Sequence, residues 1–333
     1  MSKINIIKNF DPVKQERKIL LFTVLAIIVY SFGALFLDIK QLLQLSSQFN
    51  WLLLPLLILL SFINYIFRSL RFFYYLKTIN TKVSYKQSFI IFMSTLSMTL
   101  TPGKSGEILK AYLLKKQTNE KLFKFIPVLI LERFMDGIAM LILGSIGVYY
   151  FLGSIPFLFI FSIAPLFLLY IIFHYRKNIV NIVKRFEHKL PKLRLLESLI
   201  IFFSNSEKLI KFKVIANSLV LSLLAWTFES YALYLILNYF GFSGLKILAF
   251  SFFVFSFSSI AGFFVLIPGG IGIAEGSLVS FITLFLKADT TTAGFITLLF
   301  RLITLWFGVI IGILFFYKFI FKRVSKPSNK PLY

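Results

Sequence analysis

The sequence predicts an all-α polytopic membrane protein, and three observations carry this prediction. Hydrophobic residues make up 58% of the 333 residues, and the mean hydropathy is +0.86, which exceeds the apolar share of soluble domains. Several runs of roughly 18 or more apolar residues carry almost no charge, and such a run is long enough to cross a bilayer as a helix. The basic residues, finally, are concentrated in alternate loops.

We expect about six full spans and two helical hairpins broken at Pro-Gly, up to roughly ten membrane segments in all. The predicted spans are 19–37, 51–67, 125–151, 156–175, 214–239 and 293–316. The predicted hairpins are 87–116 and 247–286, which places the repeat halves at about 87–151 and 247–317. A basic arm (1–18), a basic loop with amphipathic helices (176–213) and a basic tail (318–333) flank the single transmembrane domain, 19–317.

The distribution of lysine and arginine predicts the orientation of the chain. Of the 36 basic residues, 31 fall in the arm, in 68–124, in 176–213 and in the tail. Such a bias marks cytoplasmic segments. Both termini should therefore be cytoplasmic, with 38–50, 152–156, 240–246 and 287–293 outside. The first hairpin then enters from the cytoplasm and the second from outside, so the two halves are inverted relative to each other.

Composition also excludes several classes of function. The chain has no cysteine and only two histidines, so we expect no disulfide, no metal site and no cofactor. The net charge of +23 is explained by cytoplasmic loops in a membrane protein, and no nucleic-acid reader motif is present, so we expect no nucleic-acid partner. The sequence contains no recognisable nucleophile-base pair that would indicate an enzyme, so we expect none.

Two Pro-Gly stretches interrupt the apolar segments at related places. The first runs from Thr101 to Glu107 and the second from Pro268 to Gly276. Proline removes a backbone donor and glycine permits left-handed backbone, so each stretch should break a helix. Inside a bilayer the freed backbone groups must face protein or a water-filled cavity. Paired breaks, each followed by a charged apolar helix, indicate a transporter built from inverted repeats.

Both breaks are candidate substrate-binding elements. Backbone amides at glycine-rich helix starts, with Lys104 beside the first break, favour an anionic group such as phosphate. The glycines also fit a purely structural role in turns and tight packing. An ATP-binding P-loop is excluded because Met98 stands where its first glycine is required. The candidate binding residues here are Thr101, Gly103, Lys104, Gly106, Glu107, Gly269, Gly270 and Glu275, with Pro102 and Pro268 as structural or gating residues.

Ionisable residues inside apolar spans form the second group of candidates. Glu132, Arg133 and Asp136 share one span, whereas Glu229 and Arg301 lie on later ones. Charges at membrane depth cost a few kcal/mol each, so they usually pair and face a cavity. We expect Arg133, Asp136 and Arg301 to line one central cavity as substrate-binding residues, with Asp136 holding Arg133. Glu132 and Glu229 are predicted to be structural or gating residues.

Structural alternatives exist for these charges. The first group also fits an internal ion pair that locks helices together. Arg301 stands alone on its span and needs a partner carboxylate; the candidates are Glu275, Glu229 and Asp136. Arg68 and Arg71 fit either a grip on lipid phosphates at the cytoplasmic face or ordinary anchoring of that face.

An ordered set of motifs carries a family resemblance. Its members are 101–107 with 111–114, Glu132, Arg133 and Asp136, 268–272 with Glu275 and Gly276, and Arg301, Leu302 and Trp306. Over roughly 15–320 the chain resembles the flippase-like membrane family named after the transmembrane region of lysylphosphatidylglycerol synthase. In some relatives a basic residue precedes the second-repeat glutamate, whereas this chain has Ala274.

The resemblance implies movement of lipid headgroups, such as aminoacylated phosphatidylglycerol, between leaflets of the cell membrane. Other relatives accompany glycosyltransferases that act on polyprenyl-phosphate lipids. The soluble aminoacyl-transferring domain of synthase relatives is not expected here. Two hypotheses follow: a flippase-like or scramblase-like transporter of anionic, aminoacylated or polyprenyl-phosphate-linked lipids, and a non-transporting accessory to lipid-linked glycosyl transfer or envelope lipid synthesis. Expected partners are membrane lipids and a glycosyltransferase or lipid-modifying enzyme.

Overall fold

The structure is a computed structural model that describes residues 12–34, 37–101, 105–153, 195–264 and 270–321, together with the separate positions 171, 175, 178 and 181. Within these ranges the chain is helical throughout and contains no β-strand. The predicted all-α class is therefore confirmed.

Twelve α-helices are described in those ranges. They are α1 (Pro12–Ala34), α2 (Ile39–Gln48), α3 (Leu54–Thr78), α4 (Tyr85–Leu96), α5 (Ser105–Thr118), α6 (Ile126–Leu152), α7 (Leu195–Leu209), α8 (Phe212–Tyr239), α9 (Leu245–Phe264), α10 (Ile273–Leu286), α11 (Thr290–Arg301) and α12 (Phe307–Phe315). A 3₁₀ turn, Trp51–Leu53, leads into α3. Two π-helical segments, Leu302–Trp306 and Phe316–Phe321, follow α11 and α12, so that the last span is continuous.

Several helices are long and apolar enough to cross a membrane. Among the described residues these stretches are Trp51–Thr78, Phe212–Tyr239, Leu245–Gly262 and Thr290–Lys318. Helix α6 has 27 residues and is therefore about 40 Å long, but it carries three charged side chains in its first half. The protein is a multi-pass membrane protein.

Some predicted boundaries are wrong, for identifiable reasons. The second span continues through Arg68 and Arg71 to Thr78 instead of ending near Phe67, because Arg71 is fully buried against other helices rather than anchored at a membrane surface. Helix α1 begins at Pro12, so the end of the predicted arm is helical. The predicted outer segment 38–50 contains helix α2. Most of the span 156–175, the rest of the arm and most of the tail lie outside the described residues.

The two predicted halves exchange equivalent contacts. Helix α6, which follows the first break, packs along α9, which leads into the second break. Helix α12, which follows the second break, packs along α4, which leads into the first. The helices that precede the hairpins, α3 and α8, pack against each other along much of their length. This exchange fits two related halves, while their inverted orientation and the entry side of each hairpin stay predictions.

Glycine permits close approach of the helices at both crossings, α6 with α9 and α12 with α4. A Cβ atom on Gly147 of α6 would lie 2.5 Å from the carbonyl oxygen of Ala249 in α9. One on Gly312 of α12 would lie 2.7 Å from the carbonyl carbon of Leu96 in α4. Small residues let helix backbones approach each other in membranes, where van der Waals packing drives helix association. The same residue type therefore serves both crossings.

Residues beside the two breaks belong to one buried cluster. Leu100 precedes the first Pro-Gly and Ile271 follows the second, and both pack in a cluster with Ala26 of α1 and Leu305 and Val309 of the last span. The break residues 102–104 and 265–269 lie outside the described residues. The segments that flank the two breaks are thus packed together through these residues.

Candidate functional site

Asp136 of α6 is the centre of the first cluster of buried charges. One Nη of Arg71, on α3, lies 2.7 Å from Asp136 Oδ1, and these side chains are only 0% and 7% exposed. The indole N–H of Trp226, on α8, donates to the same oxygen at 3.1 Å. Arg71 also donates to the hydroxyl of Ser222 on α8. Asp136 thereby connects three helices that come from both halves of the chain.

Arg133 approaches the same carboxylate from the side. Its Nη1 lies 3.5 Å from Asp136 Oδ2, one helical turn away, and its side chain remains 28% exposed. The predicted proximity of Arg133 and Asp136 is thus observed, but Asp136 is held chiefly by Arg71. The sequence interpretation of Arg71 as a surface arginine is wrong, because Arg71 is fully buried. Its spacing from Asn64 and Arg68, on one face of α3, was the signal that could have found it.

Glu132 forms a separate buried ion pair. Lys110 of α5 places its Nζ 2.9 Å from Glu132 Oε2, and the two side chains are 2% and 0% exposed. The ammonium also lies 4.9 Å and 5.0 Å from the ring centres of Phe72 and Phe92, distances at which the ring faces attract a cation. This enclosure fits the structural role predicted for Glu132. Sequence reasoning missed Lys110, which looks like one of many basic residues before 124.

Arg301 is held by a second cluster in the other half. Its Nε lies 2.6 Å from Glu275 Oε1, which identifies Glu275, one of the three proposed partners, as its contact. The hydroxyl of Tyr30 on α1 donates to the same carboxylate at 2.5 Å and accepts from Arg301 Nε at 3.3 Å. Glu275 Oε2 also accepts the backbone N–H of Gly272, at the start of α10. The ring of Trp306 contacts Tyr30 edge-on at 5.6 Å.

An ion pair joins the helix after each break to the next long helix, with opposite polarity in the two cases. In the first half a cation after the break, Lys110, contacts an anion on the following long helix, Glu132. In the second half an anion after the break, Glu275, contacts a cation on the following helix, Arg301.

Backbone geometry changes directly after Arg301. The helix widens into the π-helical segment Leu302–Trp306, and the hydroxyl of Tyr65 on α3 donates to the carbonyl of Thr304 at 2.6 Å. A Cβ atom on Gly308 would lie 2.6 Å from that hydroxyl, so glycine makes room for the tyrosine. π-Helical turns inside α-helices are frequent at functional sites. The second charged cluster thus lies beside an irregular backbone that α3 stabilises.

Two further charges lie between the clusters. The guanidinium of Arg68, on α3, lies 4.8 Å from the ring centre of Trp226 and 5.7 Å from that of Phe92. Glu229, on α8, is 8% exposed, and its Oε2 has no hydrogen-bond partner in the described part of the chain. Glu229 interacts electrostatically with Arg68, Arg301 and Asp136. Glu229 therefore interacts with charges of both clusters. A single cavity lined by Arg133, Asp136 and Arg301 stays a prediction.

The break residues are only partly described. Thr101 is buried and its hydroxyl donates to the carbonyl of Met98 at 2.6 Å, which is a local turn contact. A Cβ atom on Gly106 would lie 2.9 Å from the carbonyl oxygen of Thr95. Glu107 lies in α5, but its side chain lies outside the described part of the chain. The predicted residues Pro102, Gly103, Lys104, Pro268 and Gly269 also lie outside it.

The second break closes in a similar manner. Gly270 has φ +66°, and a Cβ atom there would lie 3.1 Å from the Cα of Gly262 in α9. Both the positive φ and the close approach favour glycine. The glycines on both sides of the breaks thus meet a steric requirement, which does not by itself indicate a ligand. Among the described side chains, no group of three or more histidines or carboxylates could hold a metal ion.

The fold and these ion pairs define a class: a multi-pass helical membrane protein in which buried ion pairs join helices from distant parts of the chain. Comparison with known proteins gives the family. The sequence profile described as "Lysylphosphatidylglycerol synthase TM region" matches residues 19–312, and the chain belongs to this family. It is also similar to a UPF0104 membrane protein of Methanocaldococcus jannaschii, with 30% identity over 240 residues, which cover 70% of this chain and 97% of that protein.

Proposed function

We propose that this protein moves a lipid with a phosphate-containing headgroup between the leaflets of the cell membrane, as a flippase-like or scramblase-like transporter. The proposed substrate is an anionic or aminoacylated phospholipid, or a lipid linked to polyprenyl phosphate. One observation carries the proposal. Each predicted half holds a partly accessible arginine against a carboxylate: Arg133 with Asp136 at 3.5 Å and Arg301 with Glu275 at 2.6 Å.

These two arginines differ in exposure from a purely structural one. Arg71 is fully enclosed, so it contributes to packing of the helices. Arg133 and Arg301 retain 28% and 14% of their side-chain exposure, and a carboxylate fixes the position of each. The planar guanidinium binds phosphate through two parallel hydrogen bonds. Charged groups at membrane depth that face a cavity usually line a substrate path, which favours a role in headgroup binding.

The test uses purified protein in vesicles that contain fluorescent phosphatidylglycerol or phosphatidylcholine, with a membrane-impermeant quencher added outside. We expect wild-type protein to expose inner-leaflet lipid, and Arg301→Gln to slow exchange on the order of ten- to hundredfold, since hydrogen bonds to charged groups contribute about 1.5–3 kcal/mol. Arg301→Lys keeps the charge but not the paired geometry and should be intermediate. Lys82→Gln, in an exposed loop, is the control and should leave exchange unchanged.

Thermal unfolding of each variant separates transport from stability. If Arg301→Gln only lowers stability, and its folded fraction exchanges lipid at the wild-type rate, Arg301 is structural. If the wild-type protein moves no lipid of any class, the protein is instead a non-transporting accessory to lipid-linked glycosyl transfer or envelope lipid synthesis.

We further propose that both termini are cytoplasmic, as the distribution of basic residues predicts. The cysteine-free chain permits a direct test with single cysteines. Lys246→Cys, in a predicted outer loop, should react with an impermeant thiol reagent in intact cells. Lys82→Cys should react only after permeabilisation. The reverse pattern would contradict the orientation without bearing on the transport assay.

A further inference from the structure

The interface between α3 and α8 is unusually polar for two membrane-spanning helices. On α3, buried or half-buried polar side chains follow one another at spacings of three and four residues, which places them on one face. They are Ser61, Asn64, Arg68, Arg71 and Tyr75. Helix α8 packs along this helix and contributes Ser218, Ser222 and Glu229, also at helical spacing. We name this set of eight residues the polar seam.

Several seam atoms lack the hydrogen bonds that burial demands. The hydroxyl of Ser61, Oδ1 of Asn64, Nε of Arg68 and Oε2 of Glu229 have no hydrogen-bond partner among the described residues. Asn64 still donates its amide N–H to the carbonyl of Ala225 at 2.8 Å. Buried polar atoms without partners cost free energy and need an explanation, such as a bound ligand or ion. Atoms left in this state along one interface point to a ligand of the seam.

Glu229 differs from the other buried carboxylates of the described chain. Asp136 contacts Arg71, Glu132 contacts Lys110 and Glu275 contacts Arg301, each within 3 Å. For Glu229 the structure provides electrostatic interactions but no ion pair. The charged or titratable groups that act on it are Arg68 and Tyr65 on α3, Asp136 on α6 and Arg301 at the end of α11. The only ionisable side chain on α9, the fourth helix packed against α8, is the exposed Lys246.

We propose that Glu229 binds a proton and that this proton is exchanged during the lipid transport proposed above. Two opposing effects act on the group. Burial without a hydrogen-bonded partner favours the neutral carboxylic acid, whereas the positive charges of Arg68 and Arg301 favour the carboxylate. Opposition of this kind makes the protonation state sensitive to any additional charge that arrives in the site.

A lipid phosphate is such a charge. A phosphate that binds at Arg301 cancels part of the positive field that acts on Glu229, so the carboxylate loses part of the attraction that kept it ionised. It then takes up one proton from the adjoining aqueous phase and becomes a carboxylic acid, and it returns that proton when the phosphate leaves. No other bond is formed or broken. By linkage, the protonated protein binds the phosphate more tightly to the same degree, so lipid and proton move together.

The inference is tested with the vesicle assay under a transmembrane pH difference. If one proton accompanies each lipid, one pH unit changes the steady-state leaflet ratio of fluorescent phosphatidylglycerol by up to about tenfold, because one unit corresponds to 1.36 kcal/mol. We expect this shift for wild-type protein and for Glu229→Asp, which keeps a carboxylate. Glu229→Gln, a permanently neutral side chain, should exchange lipid with a leaflet ratio that ignores the pH difference. Glu120→Gln, which removes a loop carboxylate, should respond like wild type.

The outcomes distinguish this inference from the proposed function. If wild-type protein exchanges lipid but ignores the pH difference, or if Glu229→Gln still responds, proton coupling is refuted while transport stands. If Glu229→Gln impairs only lipids with an amine headgroup and wild type ignores pH, the seam binds an ammonium group and the inference is also refuted.

Proton binding is measured separately, without transport. Infrared difference spectra of wild-type protein in detergent, recorded across a pH titration, should contain one carboxylic-acid C=O component that Glu229→Gln removes, beside the components of the other carboxyl groups, which it leaves. Spectra of the variant that match those of wild type at every pH overturn the inference even if lipid transport is observed. Thermal unfolding of the same samples verifies that the variant is folded.

Discussion

The buried pair of Arg71 and Asp136 gives the sharpest stability prediction. Their contact atoms are 2.7 Å apart and their side chains are 0% and 7% exposed. At an effective dielectric constant of about 20, two unit charges at this distance attract each other by about 6 kcal/mol. Much of that attraction offsets the cost of removing both charges from water. Loss of one partner is strongly destabilising, because the other charge stays buried without a counter-charge.

We therefore expect Asp136→Asn to lower the free energy of unfolding by about 3–5 kcal/mol, the range for removing one member of a buried pair. The double variant Arg71→Met with Asp136→Asn removes the stranded cation as well and should recover a large part of this loss. A double-mutant cycle isolates the pairwise interaction. The assay is unfolding of the purified protein in mixed micelles by increasing denaturing detergent.

The pair between Glu120 and Lys124 serves as the matched control. Its atoms are 2.6 Å apart, but its side chains are 28% and 16% exposed and lie four residues apart at a loop. Pairs near the surface contribute about 0.2–1 kcal/mol. Glu120→Gln should therefore have a small effect. If Asp136→Asn were no more destabilising than Glu120→Gln, or if the double variant were less stable than Asp136→Asn, the argument from burial would be refuted.

Two further predictions concern a helix crossing and a helix cap. Gly312→Ala should destabilise the protein by about 1–3 kcal/mol, the range for overpacking, because its Cβ atom would overlap the backbone of Leu96 and Ser97. Gly137→Ala is the control, since its Cβ atom would meet open space. In the same unfolding assay this control should be neutral or stabilising by up to about 1 kcal/mol. Asp289 caps α11, and although partial burial raises the pKa of its carboxyl, the hydrogen bonds from Thr292 and Gln41 outweigh that effect and hold the pKa below its ordinary value. The ionised cap therefore stabilises the fold above about pH 4, and this stabilisation is lost as the pH falls through the lowered pKa. Asp289→Ala should thus cost about 1 kcal/mol at neutral pH and progressively less in acid. Unfolding measured at several pH values tests this.

Much of the fold could be predicted because the determining interactions are local or are imposed by the membrane. The backbone of a helix is satisfied internally, as hydrocarbon requires, so long apolar runs such as 214–239 specified spans without any knowledge of their neighbours. Proline and glycine specified the places where helices end, since they restrict or free the backbone at a single residue. The family also followed from the order of such motifs along the chain, and the profile match confirmed it.

The partners of the buried charges were decided by the tertiary structure. Sequence reasoning placed Arg71 at a surface and left three candidate partners for Arg301, whereas packing encloses Arg71 against Asp136 and pairs Arg301 with Glu275. Which arginine is covered depends on the rotation of α3 against α6 and α8, and a single residue of helical rotation changes the facing direction by about 100°. Composition and spacing determine that a charge at membrane depth needs a partner. Which residue is that partner depends on how helices that lie far apart in the sequence pack together.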